Sequence, residues 1–167
     1  MSRLLTIALV AAFSALLALP AQAQSRDRAL RDAFGRCGEP CVIRYSPGGE
    51  LKRFQAAAAA VKRGARRLVV IDGPCISACA VFADIARSKV CITDRAVFGF
   101  HKATLVSLRS LRNGRVLERQ LGVKDPPHSR DIVRWVKSRG GFPRQGLRRM
   151  SARQAASFWR RCSLRRT

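Results

Sequence analysis

Three short segments of this chain carry residue types that together perform one kind of chemistry. Ser77 stands in Gly73-Pro74-Cys75-Ile76-Ser77-Ala78-Cys79, between the apolar run Val69-Val70-Ile71 and a helix-like stretch. His101 follows in Phe98-Gly99-Phe100-His101, and Ser46-Pro47-Gly48-Gly49 lies upstream at the end of another apolar run. A hydroxyl that attacks, an imidazole that takes its proton and a turn whose backbone N–H groups receive an anion are the parts of a serine hydrolase. Glycine suits the turn, because N–H groups aimed at a substrate need backbone freedom and no side chain in the way. The alternative for Ser77 is a helix N-cap, a position that serine favours.

The elements that must position these residues follow from periodicity. Cys41 to Tyr45 reads as a strand ended by Pro47-Gly48-Gly49. Glu50 to Arg63 reads as a helix, with Leu51, Phe54, Ala58 and Val61 on one face and alanines at 56–60 that favour helix and close packing. Arg67 to Asp72 is a second, buried strand broken by Gly73-Pro74. A helix over Ser77–Arg87 and short strands over Lys89–Thr93 and Ala96–Phe100 follow. Strand and helix in alternation predict an α/β domain with parallel pairing. Beyond His101, Asn113-Gly114 predicts a hairpin within 105–117. Ser129 is placed to cap a helix ending near Ser138, and Ser151-Ala152-Arg153-Gln154 has the form of a capping box opening a helix with Ala155, Phe158, Trp159 and Cys162. Trp135 and Trp159 are expected in the core, and His128, after two prolines, in a loop.

The N-terminus predicts export. Arg3, the nearly all-apolar Leu4–Leu19 and the small residues of Ala21-Gln22-Ala23 form a signal peptide over 1–23, so a mature chain begins at Gln24. That apolar run is short for a bilayer core, and no later stretch is long and apolar enough to span one, so no integral membrane anchor is expected after processing. The chain is expected in the periplasm or outside the cell. It divides into an N-terminal segment over 24–40, an α/β domain over 41–162 and a basic tail over 163–167. Six cysteines, an even number in an exported chain, predict disulfides, with the pairing left open. A bridge between Cys75 and Cys79 would pin the turn bearing Ser77. Their three-residue spacing argues against zinc, and neither a metal nor a cofactor is expected. Thirty-three Lys and Arg against ten Asp and Glu give a net charge of +23. Such a field attracts anionic partners, including envelope polyanions, though no aromatic-and-basic nucleic-acid motif accompanies it.

In this order and spacing, the Ser-Pro-Gly-Gly turn, the alanine-rich helix, the Ser-Ala turn, the strand ending in His101 and the late Met150-Ser151-Ala152 segment resemble the Clp-protease/crotonase superfamily. The likeness runs from about Cys41 to Phe158 and is specifically to the Clp proteolytic subunit and its exported relatives. It implies repeated ββα units with mainly parallel sheet in a single domain after the signal peptide. It further implies Ser77 as nucleophile, His101 as base, and the N–H groups of Gly49 and Ala78 as the oxyanion hole, acting on a peptide or peptide-like amide. The family's third member, an aspartate, falls at Leu147, and no Asp or Glu follows Asp131. Asp125, Asp131 or Gln145 would have to orient His101 instead. Loss of that acid costs orders of magnitude in rate, so the rival expectation is an inactive relative that binds an anionic partner. Members of that superfamily form rings or trimers through the region after the catalytic histidine; here that region is arginine-rich and self-repulsion opposes assembly, so an oligomer is possible and the oligomeric state is left open.

Overall fold

In the computed structural model the described residues are 19–64, 68–110 and 116–162. Helix α1 (Leu19–Phe34) runs through the cleavage site expected after Ala23; the rest of the signal and the basic tail lie outside the described residues. Short strands then alternate with helices: β1 (Cys41–Ile43), α2 (Leu51–Arg63), β2 (Val69–Ile71), β3 (Pro74–Ile76), α3 (Ala78–Ile85), β4 (Val90–Ile92) and β5 (Val97–Phe100). A hairpin of β6 (Ala103–Ser110) and β7 (Val116–Lys124) precedes α4 (Arg130–Lys137), β8 (Arg148–Ser151), α5 (Ala152–Ala155) and β9 (Arg160–Arg161).

Apart from the β6–β7 hairpin, which pairs only with itself, the strands form two sheets in a mixed α/β architecture. One sheet has the order β1-β2-β4-β9 and is wholly parallel, with Cys41 opposite Val69 and Val69 opposite Val90. Val69, Val70, Ile71, Val90, Cys91 and Ile92 are all buried, which is why these strands read as unbroken apolar runs. The second sheet has the order β3-β5-β8, with β3 parallel and β8 antiparallel to β5, and Ser46 joins it through a bridge to Cys75. The chain turns from β2 into β3 at Asp72-Gly73 and from β4 into β5 over residues 93–96, so each inner strand feeds one in the second sheet. Gly73 is required at its corner, because a Cβ there would lie 2.0 Å from the Arg44 carbonyl oxygen. Asp72 ties the two corners together, accepting from Thr93 Oγ1 at 2.6 Å and from Arg95 Nε at 3.0 Å.

The alanines of α2 and α3 are small enough for these helices to lie closely against the sheets and each other; Ala57, Ala58, Ala80 and Ala83 are fully buried. Phe34 of α1 packs edge-on against Phe54 and Phe82, at 5.2 and 4.7 Å between centroids. Such aromatic pairs contribute about 1 kcal/mol beyond their burial. The late helix is shorter than its capping box suggests. The box is present at Ser151 and Gln154, but α5 ends at Ala155. Trp159 then stacks on Phe98 at 4.3 Å and donates its indole N–H to the Ala83 carbonyl, which draws the chain into β9 beside β4. The expected hairpin is present as β6 and β7, with its Asn113-Gly114 turn outside the described residues. Every residue of β7 is exposed, and Leu108 and Leu121 stand largely in solvent. Among the described residues no helix is long and apolar enough to cross a membrane.

Candidate active site

Ser77 sits at a strand-to-helix turn, one residue after β3 and one before α3. Its backbone has φ 57° and ψ −119°, and among the described residues it is the one non-glycine with positive φ. A residue held there costs about 1–3 kcal/mol and persists only when its surroundings over-determine it. Three features do so. The Ser77 N–H donates to the Gly99 carbonyl at 2.8 Å, extending the ladder between β3 and β5. A disulfide joins Cys75 to Cys79 across the turn. Gly48 presses on the turn so closely that a Cβ would stand 2.6 Å from the Ile76 oxygen and 2.9 Å from both Ala78 N and Ser77 Cβ. An N-capping serine has extended backbone and accepts a hydrogen bond from the first helical turn. Ser77 does neither, for its side chain makes no cap hydrogen bond.

The glycine turn and the start of α3 therefore meet. Gly48 and Gly49 have φ of 87° and 149°, conformations that glycine alone adopts freely. Ala78 opens α3 and carries one of the N–H groups that a helix leaves without an intrahelical partner. Ser77, Ala78 and His101 all border one small pocket, with Leu51, Val81, Phe100, Ala103, Pro126 and His128. Its free space of about 20 Å³ holds roughly one ordered water. His101 reaches it one residue beyond β5, which runs parallel to β3 with Gly99 opposite Ile76.

The residues expected to orient His101 are engaged elsewhere. Asp125 lies 3.5 Å from the Lys102 ammonium, Asp131 pairs with Arg87, and Gln145 is exposed. Leu147 packs on Gly99, its Cδ1 3.3 Å from where a Cβ would be. A different carboxylate reaches this region through His128. Asp84 of α3 has a side chain 3% exposed and lies 3.2 Å from Nδ1 of His128, whose side chain is 1% exposed. The Asp84 carboxylate also accepts from the Ser129 N–H and from Arg87, and the Ser129 hydroxyl lies 2.7 Å from it. Arg87 in turn bridges to Asp131. Burial pushes the Asp84 carboxyl up, but hydrogen bonds from His128, Ser129 and Arg87 outweigh it and hold the group below its usual range. His128 lies in a loop, as expected, and its ring is enclosed there, stacked on Phe142 and edge-on to Phe100. Ser129 precedes α4 without capping it, because its hydroxyl faces Asp84.

Asp84 is not singled out in the sequence reading, though one signal for it is present. Ala-Cys-Ala-Val-Phe-Ala-Asp-Ile is apolar except for Asp84, and a carboxylate on a buried helix requires a partner. The sequence could not say which.

The cysteines pair as Cys37–Cys41, Cys75–Cys79 and Cys91–Cys162. Among the described residues no group of three or more His, Cys, Asp or Glu could hold a metal ion. No family model, no curated protein and no solved structure matches the chain.

Proposed function

We propose that the chain is an exported serine hydrolase of Clp-protease-like fold that cleaves peptides or peptide-like amides. The observation that carries this reading is the backbone of Ser77, strained at a strand-to-helix turn with its hydroxyl unused for capping. A strained serine on such a turn is the arrangement of a nucleophile presented at the end of a sheet. Ser77 Oγ attacks the carbonyl carbon while His101 takes the hydroxyl proton. The N–H groups of Gly49 and Ala78 receive the oxyanion, and His101 passes the proton to the leaving amine. Water then releases the acyl group by the same steps. The strand–strand–helix order through β2-β3-α3 and the bridge of Ser46 beside β3 support the family resemblance. Three disulfides support an oxidising location, the periplasm or outside the cell. The exposed apolar residues of the β6–β7 hairpin support an oligomer assembled through that arm.

Leu147 favours a second reading, a catalytically inactive relative that uses its net charge of +23 to bind an anionic envelope component. One experiment separates the two. The full chain, produced in an oxidising compartment, is treated with a fluorophosphonate probe beside Ser77→Ala and His101→Ala. Hydrolase chemistry gives labelling that both variants lose; a folded protein that takes no label belongs to the second reading.

A further inference from the structure

We infer that Asp84 and His128 replace the missing acid of the triad, with His128 as a positioning residue that holds His101 and Asp84 as the carboxylate that fixes His128. The inference rests on the serine-hydrolase reading and supplies the part that reading lacks.

An ionised carboxylate only accepts hydrogen bonds. Asp84 therefore takes the Nδ1–H of His128, and this sets the tautomer: Nε2 is left with its lone pair. With Nδ1 committed, Nε2 is the one ring nitrogen left for the pocket that His128 borders. His101 borders the same pocket, whose free space is about 20 Å³. On the wall of the pocket that both histidines line, His128 Nε2 is the acceptor offered to a proton-bearing nitrogen of His101, directly or through a water, leaving the other His101 nitrogen for Ser77.

Charge supports the same assignment. Asp84, Asp131 and Arg87 sum to one negative charge (−1 − 1 + 1) in a chain that is otherwise strongly basic. That charge sits behind His128 and stabilises the imidazolium that His101 becomes during attack, the task of the usual aspartate. The ring stack on Phe142 and the edge contact with Phe100 hold His128 in place without competing for its nitrogens.

The test measures the rate of fluorophosphonate labelling on the full, disulfide-bonded chain, with thermal melts of each variant. Asp84→Asn and His128→Gly are each expected to lower the rate by at least about tenfold, with the double variant little worse than either single one, because the two act as a unit. Imidazole added to His128→Gly is expected to restore labelling, whereas pyrrole, of the same shape but without an acceptor nitrogen, is not. A purely structural role would respond to both or to neither. If His128→Gly does not melt cooperatively, the near-isosteric Asp84→Asn decides alone: a fall above tenfold supports the inference, and a smaller one overturns it. Rescue by pyrrole as strong as by imidazole also overturns it. Labelling lost in Ser77→Ala but kept within tenfold in Asp84→Asn sinks this inference alone. A wild type that takes no label, or label that survives Ser77→Ala, sinks the hydrolase reading with it.

Discussion

Replacing Ser77 by glycine is expected to make the protein more stable than replacing it by alanine. Both variants lose the hydroxyl, and that hydroxyl caps nothing, so the comparison isolates the backbone. Alanine keeps the Cβ at φ 57° and ψ −119° and with it the strain, about 2 kcal/mol from the usual range for such conformations. Glycine removes the strain but adds freedom to the unfolded chain, a loss of about 0.5–1 kcal/mol. The balance leaves Ser77→Gly ahead of Ser77→Ala by about 1 kcal/mol, or roughly 3–5 °C in a domain of this size. Urea unfolding of both variants at neutral pH measures it, provided the denaturant slope is the same for the two. A glycine variant equal to or less stable than the alanine variant would refute the claim that the turn stores strain, and the functional reading would lose its main support.

Other expectations follow from the same geometry. The Cys91–Cys162 bridge closes a loop of sequence separation 71, so its removal by paired alanines should cost about 4 kcal/mol and leave fluorophosphonate labelling intact. Removing Cys75–Cys79, with separation 4, should cost only about 2 kcal/mol yet abolish labelling, because it frees the turn of Ser77; equal effects of the two pairs on labelling would contradict this. Gly48→Ala forces a Cβ to within 2.6 Å of the Ile76 oxygen at a φ of 87°, and should lower stability by about 2 kcal/mol or more with loss of labelling; a labelled, stable variant would count against the packing described for this turn. Asp84 and Asp131 are both held below the usual carboxylate range. For Asp84 the bonds from His128, Ser129 and Arg87 overcome burial, and for Asp131 the Arg87 guanidinium is the chief cause. A lowered folded pKa gives stability that is present above the unfolded value of about 4 and is lost as pH falls below it. Urea midpoints should therefore drop from pH 4 downward, and drop less in Asp84→Asn.

The parts of the site that depend on local pattern were legible in the sequence. Gly48-Gly49, the apolar run into Gly73 and the residues after Ser77 each announce a turn or an element through their own composition. Strand β3 was not legible, because Pro74 reads as a breaker. Proline is tolerated as the first residue of a strand, and Pro74 occupies that place. The late helix is shorter than its sequence suggests for a related reason: Phe158 and Trp159 fit a helical period, and the pull of Phe98, the Ala83 carbonyl and Cys91 is visible only in three dimensions. The same holds for Asp84 and His128, which stand 44 residues apart and meet through the packing of α3 against the segment leading into α4. Periodicity speaks to each side of such a contact but not to the pair.

The most direct test of the account is to map the fluorophosphonate adduct by mass spectrometry on the folded, disulfide-bonded chain. A single adduct on Ser77 that disappears in His101→Ala is expected. No adduct on folded protein, or an adduct on another residue, would contradict it.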